Sequence, residues 1–409
     1  MVSKFVFHFY YLIIIYIYLY SPPFKFVPVN LVSFFVVLVM FFFVTNEKFI
    51  RKLFSYYRVE LAILFLIASY ILFLIVIGHE FYFGFVLSVS GFFVLLASFF
   101  LVFLIGNECQ SNKYIFFKFL VVAASIASFT AIAMLINQDL TYYVRNDILK
   151  FDFDINRYQL HRGFGLSNEL LFSFTIVQSI CIIILLEYRL YNWMLTLVLI
   201  VVLLASILVN ARIGLAPVLI YFSLKLGQLF LKQDLRFYLI VILVLFFSFF
   251  LDYFFRGGSS VDSLIFYQFI SFFAELLSIF GMGSDSLSEG QLGALFGRMF
   301  YFPDTALSFL FGTGVNVFYL EGESSDVGWV ILLNYGGFFL CLAIFIWILM
   351  LSFYNHSPES LLFRLTIFLS FFIVMFKGLL WSVKPGLAVL VIVLVALRYF
   401  ERRHKGIKS

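Results

Sequence analysis

Between Leu61 and Ile77 the chain reads LAILFLIASYILFLIVI, 17 residues without a charge. At about 1.5 Å per residue such a helix nearly crosses a hydrocarbon core of roughly 30 Å, and comparable runs recur along the whole chain. They are apolar on every side, whereas the strands of an outer-membrane barrel alternate apolar and polar residues. Lipid offers no partner to a backbone N–H or C=O, so the pattern requires helices, which satisfy those groups internally. Composition agrees. Of 409 residues, 64% are hydrophobic and 12% charged, against roughly half and a quarter in soluble domains. A soluble globular domain is excluded. The 61 phenylalanines lie inside nearly every run, so they read as lipid-facing filler and not as an aromatic path for sugars or bases.

The runs predict twelve spans in one membrane domain, at about 5–20, 29–44, 60–77, 84–105, 116–136, 168–186, 191–209, 214–230, 237–254, 328–351, 362–380 and 385–400. The first is read as a retained helix, because the SPPFKFVP that follows it has no small-residue cleavage site. An even number puts both termini on one side. Lys and Arg accumulate in cytoplasmic connections, and they fill the second (Lys48, Arg51, Lys52, Arg58), the fourth (Lys113, Lys118), the eighth (Lys225, Lys232, Arg236) and the C-terminal tail (Arg398, Arg402, Arg403, Lys405, Lys408). Both termini are therefore expected in the cytoplasm. The two long connections, 137–167 and 255–327, then fall outside, and the second has a composition suited to short surface helices. Long connections on one face point to chemistry there.

Six arginines on the outer side run against the positive-inside bias: Arg145, Arg157, Arg162, Arg212, Arg256 and Arg298. Acids in the same loops leave that face net acidic, so these residues are not a basic coat. Arg212 sits in a connection of barely three residues, Asn210-Ala211-Arg212, which holds it at the membrane boundary. A planar guanidinium donates in pairs, stays charged and is weakly hydrated, which suits a lipid-linked phosphate at that depth. The alternative is snorkelling to head groups or pairing with loop acids. His161, beside Arg162, is eligible as a general base or a phosphate contact, while His8, His79, His356 and His404 read as incidental. Cys109 falls in an inner connection, and Cys181 and Cys341 fall in spans, so no disulfide or thiolate metal site is expected. No Walker-type loop, Gly-x-Ser-x-Gly or metal-ligand spacing occurs, and neither a metal nor another cofactor is expected.

Four short segments resemble the O-antigen polymerase (Wzy-type) family, within the wider group that includes O-antigen ligases. Arg162-Gly163-Phe164-Gly165-Leu166-Ser167-Asn168 is similar to the group's Arg-x-x-Gly-x-x-x-Asn, and Asn210-Ala211-Arg212-Ile213-Gly214-Leu215 to its (Ser/Asn)-x-Arg-x-Gly turn. Phe311-Gly312-Thr313-Gly314 resembles Phe-Gly-x-Gly, and Ser325-Asp326-Val327-Gly328-Trp329, continued by Tyr335-Gly336-Gly337, resembles Asp-x-Gly-aromatic. The resemblance covers roughly residues 155–345. The chain lacks the Arg followed by Gly eleven positions later that some polymerases carry in each long outer loop.

This resemblance implies an all-α, GT-C-like polytopic protein of the bacterial inner membrane. It would be a glycosyltransferase that passes a growing glycan from undecaprenyl diphosphate to the non-reducing end of a new lipid-linked repeat unit. The implied partners are undecaprenyl-diphosphate-linked oligosaccharides, the bilayer and a chain-length regulator protein, with no nucleic acid. Arg157, Arg162, Arg212, Arg256 and Arg298 are the residues expected to hold the diphosphate. The base stays open among His161, Asp304, Glu323 and Asp326. Gly312 and Gly314 are expected to form a tight turn where the large loop returns to the membrane. A ligase is the near alternative, disfavoured because residues 255–327 contain no histidine. A flippase of the same lipid-linked unit is the alternative from another class, disfavoured by the long outer loops and the absence of repeats.

Overall fold

A computed structural model describes residues 2–26, 31–108, 112–150, 165–167, 172–231, 299–319, 324–354, 360–382 and 385–407. Among them the regular elements are all helical, with one isolated bridge pairing Phe24 and Leu149. The helices are α1 (Val2–Tyr20), α2 (Leu31–Thr45), α3 (Glu47–Val76), α4 (Phe81–Glu108), α5 (Lys113–Ile136), α6 (Gln138–Tyr143), α7 (Phe172–Tyr188), α8 (Trp193–Asn210), α9 (Leu215–Leu231), α10 (Ala306–Phe311), α11 (Gly328–Phe353), α12 (Leu361–Val374) and α13 (Pro385–Ile407). Five of them, α3, α4, α5, α8 and α11, are long and apolar enough to cross a membrane, and α1, α7, α9 and α12 contain shorter apolar stretches. The chain is thus a helical, multi-pass membrane protein.

Apart from α6 and α10, which lie in the two long connections, these helices fall on the predicted apolar segments, and the ninth segment, 237–254, lies outside the described residues. Three boundaries differ by six residues or more, one of them the end of α13, which runs to Ile407 and not to about 400. α3 starts at Glu47 and not near residue 60, because the Asn46 side chain caps it by accepting from the Phe49 amide at 3.0 Å. The helix then bends at Tyr57 (φ −129°, ψ 23°) before entering its apolar run. α12 ends at Val374, where a turn through Lys377 and Gly378 takes over.

α13 is the centre of the bundle. It opens on Pro385, whose missing N–H costs nothing in a first turn, and residues 387–397 are all buried. A stretch apolar all round needs cover on every side. α4 and α7 supply most of it. Lipid is as apolar as leucine, so close fit and not water release holds such helices together. Gly91 of α4 illustrates this: a Cβ there would meet the Trp381 ring at 2.9 Å, and that indole donates to the Leu87 carbonyl at 3.0 Å.

The connections gather at two ends. One end joins the C-terminal ends of α1, α3, α5 and α12 to the N-terminal ends of α7, α9, α11 and α13. The other collects Glu187 with Lys225, Asn107 with Tyr399, and Ser360 with Glu401. Arg398, expected as a tail cation, is instead fully buried within this second end. The spans are also less free of charge than composition implies, since Glu60, Arg364 and Arg398 are all buried there.

Candidate functional site

The first end carries the described parts of all four motif segments. Gly165 adopts φ +56°, and a side chain there would press on the Ala127 carbonyl at 2.7 Å. The neighbouring Leu166 carbonyl accepts from the Tyr16 hydroxyl at 3.1 Å. Asn210 ends α8 and Arg212–Gly214 forms a single 3-10 turn against α7, where the Ser179 hydroxyl donates to the Gly214 carbonyl. Phe172 of α7 packs against Gly378, and Gly378 against Gly328 at the start of α11. A continuous path of contacts therefore runs from the Arg212 turn to α11.

At α11 the helix is broken. Gly337 has φ 70° and ψ −171°, and the carbonyls of Asn334, Tyr335 and Gly336 lose their places in the helical ladder. Thr313 supplies its amide (2.6 Å) and hydroxyl (3.0 Å) to the Asn334 carbonyl, and Gly314 supplies its amide to that of Tyr335 (3.2 Å). The Tyr70 hydroxyl donates to the Gly336 carbonyl at 2.9 Å. The Phe-Gly-Thr-Gly segment thus interlocks with Tyr-Gly-Gly. Both glycines expected to form a turn have left-handed backbones, Gly312 at φ 82° and Gly314 at φ 80°. A Cβ on Gly312 would collide with the Tyr335 carbonyl, and one on Gly337 with that of Leu310.

His79, which reads as incidental in the sequence, sits at this junction. It occupies the short turn from α3 to α4, packs on Gly314, and meets the Tyr335 ring edge-on with centroids 5.8 Å apart. Next to it the Glu80 carbonyl accepts from the Tyr335 hydroxyl at 3.0 Å, and the Glu80 amide donates to the Gly314 carbonyl. Burial pushes the His79 imidazole below its ordinary value, opposed by a hydrogen bond to the Tyr335 backbone. Its Nδ1 is buried without a partner. His79, Phe73 and Ile77 form one wall of an open cleft of about 440 Å³, and Thr305, Ser308 and Phe311 of the α10 region form the other. The only local signal for His79 is a His-Glu pair in a four-residue turn between two apolar runs.

Asp304 is exposed and precedes Thr305, whose hydroxyl and that of Ser308 make the reciprocal cap of α10. Asp326 is exposed just before α11, beside Ser325, which ties this loop to Met299 through a 2.6 Å bond to its carbonyl. Asp304 and Asp326 therefore lie at the same end as Gly312 and Gly314. For Arg212 the backbone alone is described. His161, Glu323, Arg157, Arg162, Arg256 and Arg298 lie outside the described residues. No group of three His, Cys, Asp or Glu able to hold a metal occurs among the described residues. No protein-family model, curated protein or solved structure matches the chain.

Proposed function

We propose that the chain is a glycan polymerase of about twelve spans with both termini in the cytoplasm, acting on undecaprenyl-diphosphate-linked oligosaccharides at its outer face. One observation carries the reading. The described parts of four motif segments, spread from Gly165 to Gly337, meet at one end of the bundle, and two of them interlock through backbone hydrogen bonds. The first long connection leaves from this end, and the second returns to it at Gly328. In the proposed reaction an acceptor hydroxyl oxygen bonds to the anomeric carbon of the growing glycan as the bond from that carbon to diphosphate breaks. The hydroxyl proton passes to a base among Asp304, Asp326, Glu323 and His161. Undecaprenyl diphosphate leaves, its charge met by fixed arginines that need no reorganisation as it develops.

A second reading, transport of the same lipid-linked unit, is favoured by the break in α11, since transporter sites are built on broken helices. Here the freed carbonyls of Asn334, Tyr335 and Gly336 already accept from Thr313, Gly314 and Tyr70. They are engaged by the protein itself, which favours the polymerase. Replacing Arg212 or Arg298 by Ala and sizing the surface glycan tests the assignment. Loss of long chains with a single repeat unit retained is expected, and unaltered chain length would remove both residues from the site.

A further inference from the structure

At the opposite end of the bundle, four cations gather near the start of α3 and the ends of α4 and α13, two of them on one pair of polar side chains. The Lys52 ammonium of α3 lies over the rings of Phe103 (5.2 Å) and Tyr399 (5.8 Å). The Tyr399 hydroxyl donates to Asn107 Oδ1 at 3.2 Å, and Arg403 donates to the Gly106 carbonyl at 2.9 Å and to the same Asn107 oxygen at 3.4 Å. Arg402 stacks on Tyr56 at 4.7 Å and donates to the Ser55 carbonyl at 2.9 Å. Lys48 lies one turn before Lys52, and it and Arg403 are the neighbouring charges that act on the Lys52 ammonium.

The acids at this end whose side chains are described are already engaged. Glu47 pairs with Arg51, Glu60 with Arg398 and Glu401 with Arg364. Among the described residues no carboxylate pairs with Lys48, Lys52, Arg402 or Arg403. The C-terminal carbonyls of α4 offer about half an elementary charge in compensation, less than the four positive charges gathered there. The surplus positive charge sits at the ends of apolar helices and is walled by Tyr56, Tyr399 and Phe103, the setting in which tyrosine marks the head-group layer. Basic hollows between helix ends at this depth take anionic lipid head groups.

We propose that Lys52 and Arg403, flanked by Lys48 and Arg402, form a binding site for the phosphate of an anionic phospholipid. The assignment is independent of the polymerase reading. Among the described residues Lys52 contacts ring faces alone, which leaves its donors for a phosphate oxygen, and Arg403 uses one of its two terminal nitrogens on α4.

The test uses the full chain in detergent, titrated with phosphatidylglycerol or with neutral phosphatidylcholine in mixed micelles, with bound lipid counted by native mass spectrometry. Phosphatidylglycerol is expected to bind in preference, Lys52→Gln to weaken it about fivefold, and Lys52→Gln with Arg403→Gln about 25-fold. Lys52→Gln breaks no hydrogen bond, so it decides the matter by itself if the double variant fails to fold. Arg51→Ala removes a charge from the same helix end, but one already paired, and should leave affinity unchanged. Equal binding of the two lipids, or a loss in Arg51→Ala as large as in Lys52→Gln, would overturn the site in favour of a diffuse basic coat.

Discussion

Arg398 closes on Glu60 inside the bundle, and both side chains are fully buried. The same guanidinium donates to the Met350 and Leu351 carbonyls at 2.9 Å each and lies over the Tyr57 ring at 5.0 Å. Those carbonyls lie in the last turn of α11, where a helix runs out of N–H donors of its own, although that of Met350 also accepts from the Tyr354 amide at 2.9 Å. Arg364 repeats the device, donating to the Ser352 carbonyl at 3.0 Å and pairing with Glu401 at 3.0 Å. Two arginines thus cap α11 while tying it to α3, α12 and α13.

Removing either member of the Glu60–Arg398 pair strands a buried charge. Glu60→Ala and Arg398→Ala are each expected to cost about 3–5 kcal/mol, seen as a lower Tm in detergent. Each single variant leaves its partner uncompensated, so the double variant should cost clearly less than the sum. Additive losses would contradict the pairing.

The break in α11 depends on glycine. Gly337→Ala places a Cβ against the Leu310 carbonyl on a left-handed backbone, a strain of about 1–3 kcal/mol before the clash is counted. Gly227, in the helical interior of α9 with open space around it, is the control: Gly227→Ala should be neutral or stabilising by about 0.5–1 kcal/mol. Equal Tm values for the two variants would mean that α11 runs unbroken past Gly337.

His79 makes stability depend on pH in one direction. Its folded value lies below the unfolded one, so near and below pH 6.5 the unfolded chain binds more protons, and stability falls as pH drops. His79→Gln should flatten the difference in Tm between pH 7.5 and pH 5.5. An unchanged difference would mean that the ring titrates as freely in the folded chain as in the unfolded one.

Orientation is tested by reporters inserted near Asp152 and Ser286, in the two long connections. Both should respond as outside and one at the C-terminus as inside. A cytoplasmic signal at either loop position would separate the motif segments from the face on which a lipid-linked glycan is used.

The helices are legible in the sequence because lipid imposes one requirement, an unbroken apolar run, and local composition records it. The extension of α3 back to Glu47 is not, since those residues are amphipathic and are drawn in by the Asn46 cap and by contacts from α13. Gly312 and Gly314 announce a turn. What that turn grips, the carbonyls of Asn334 and Tyr335, depends on a helix break that a Gly-Gly pair in an apolar run does not specify. Arg398 misleads in another way. Its neighbours Arg402 and Arg403 make it look like part of a basic tail, while its partner Glu60 lies 338 positions away in the chain. His79 is hidden for the same reason, because its surroundings come from residues 305–314 and 335.

The central claim is that this chain polymerises lipid-linked glycan. The direct measurement places the purified protein in proteoliposomes with a single undecaprenyl-diphosphate-linked repeat unit and sizes the products by gel electrophoresis. A ladder of multiples of the repeat, with release of undecaprenyl diphosphate, is the predicted result. Repeat units that cross the bilayer without growing in length would contradict it and identify a transporter instead.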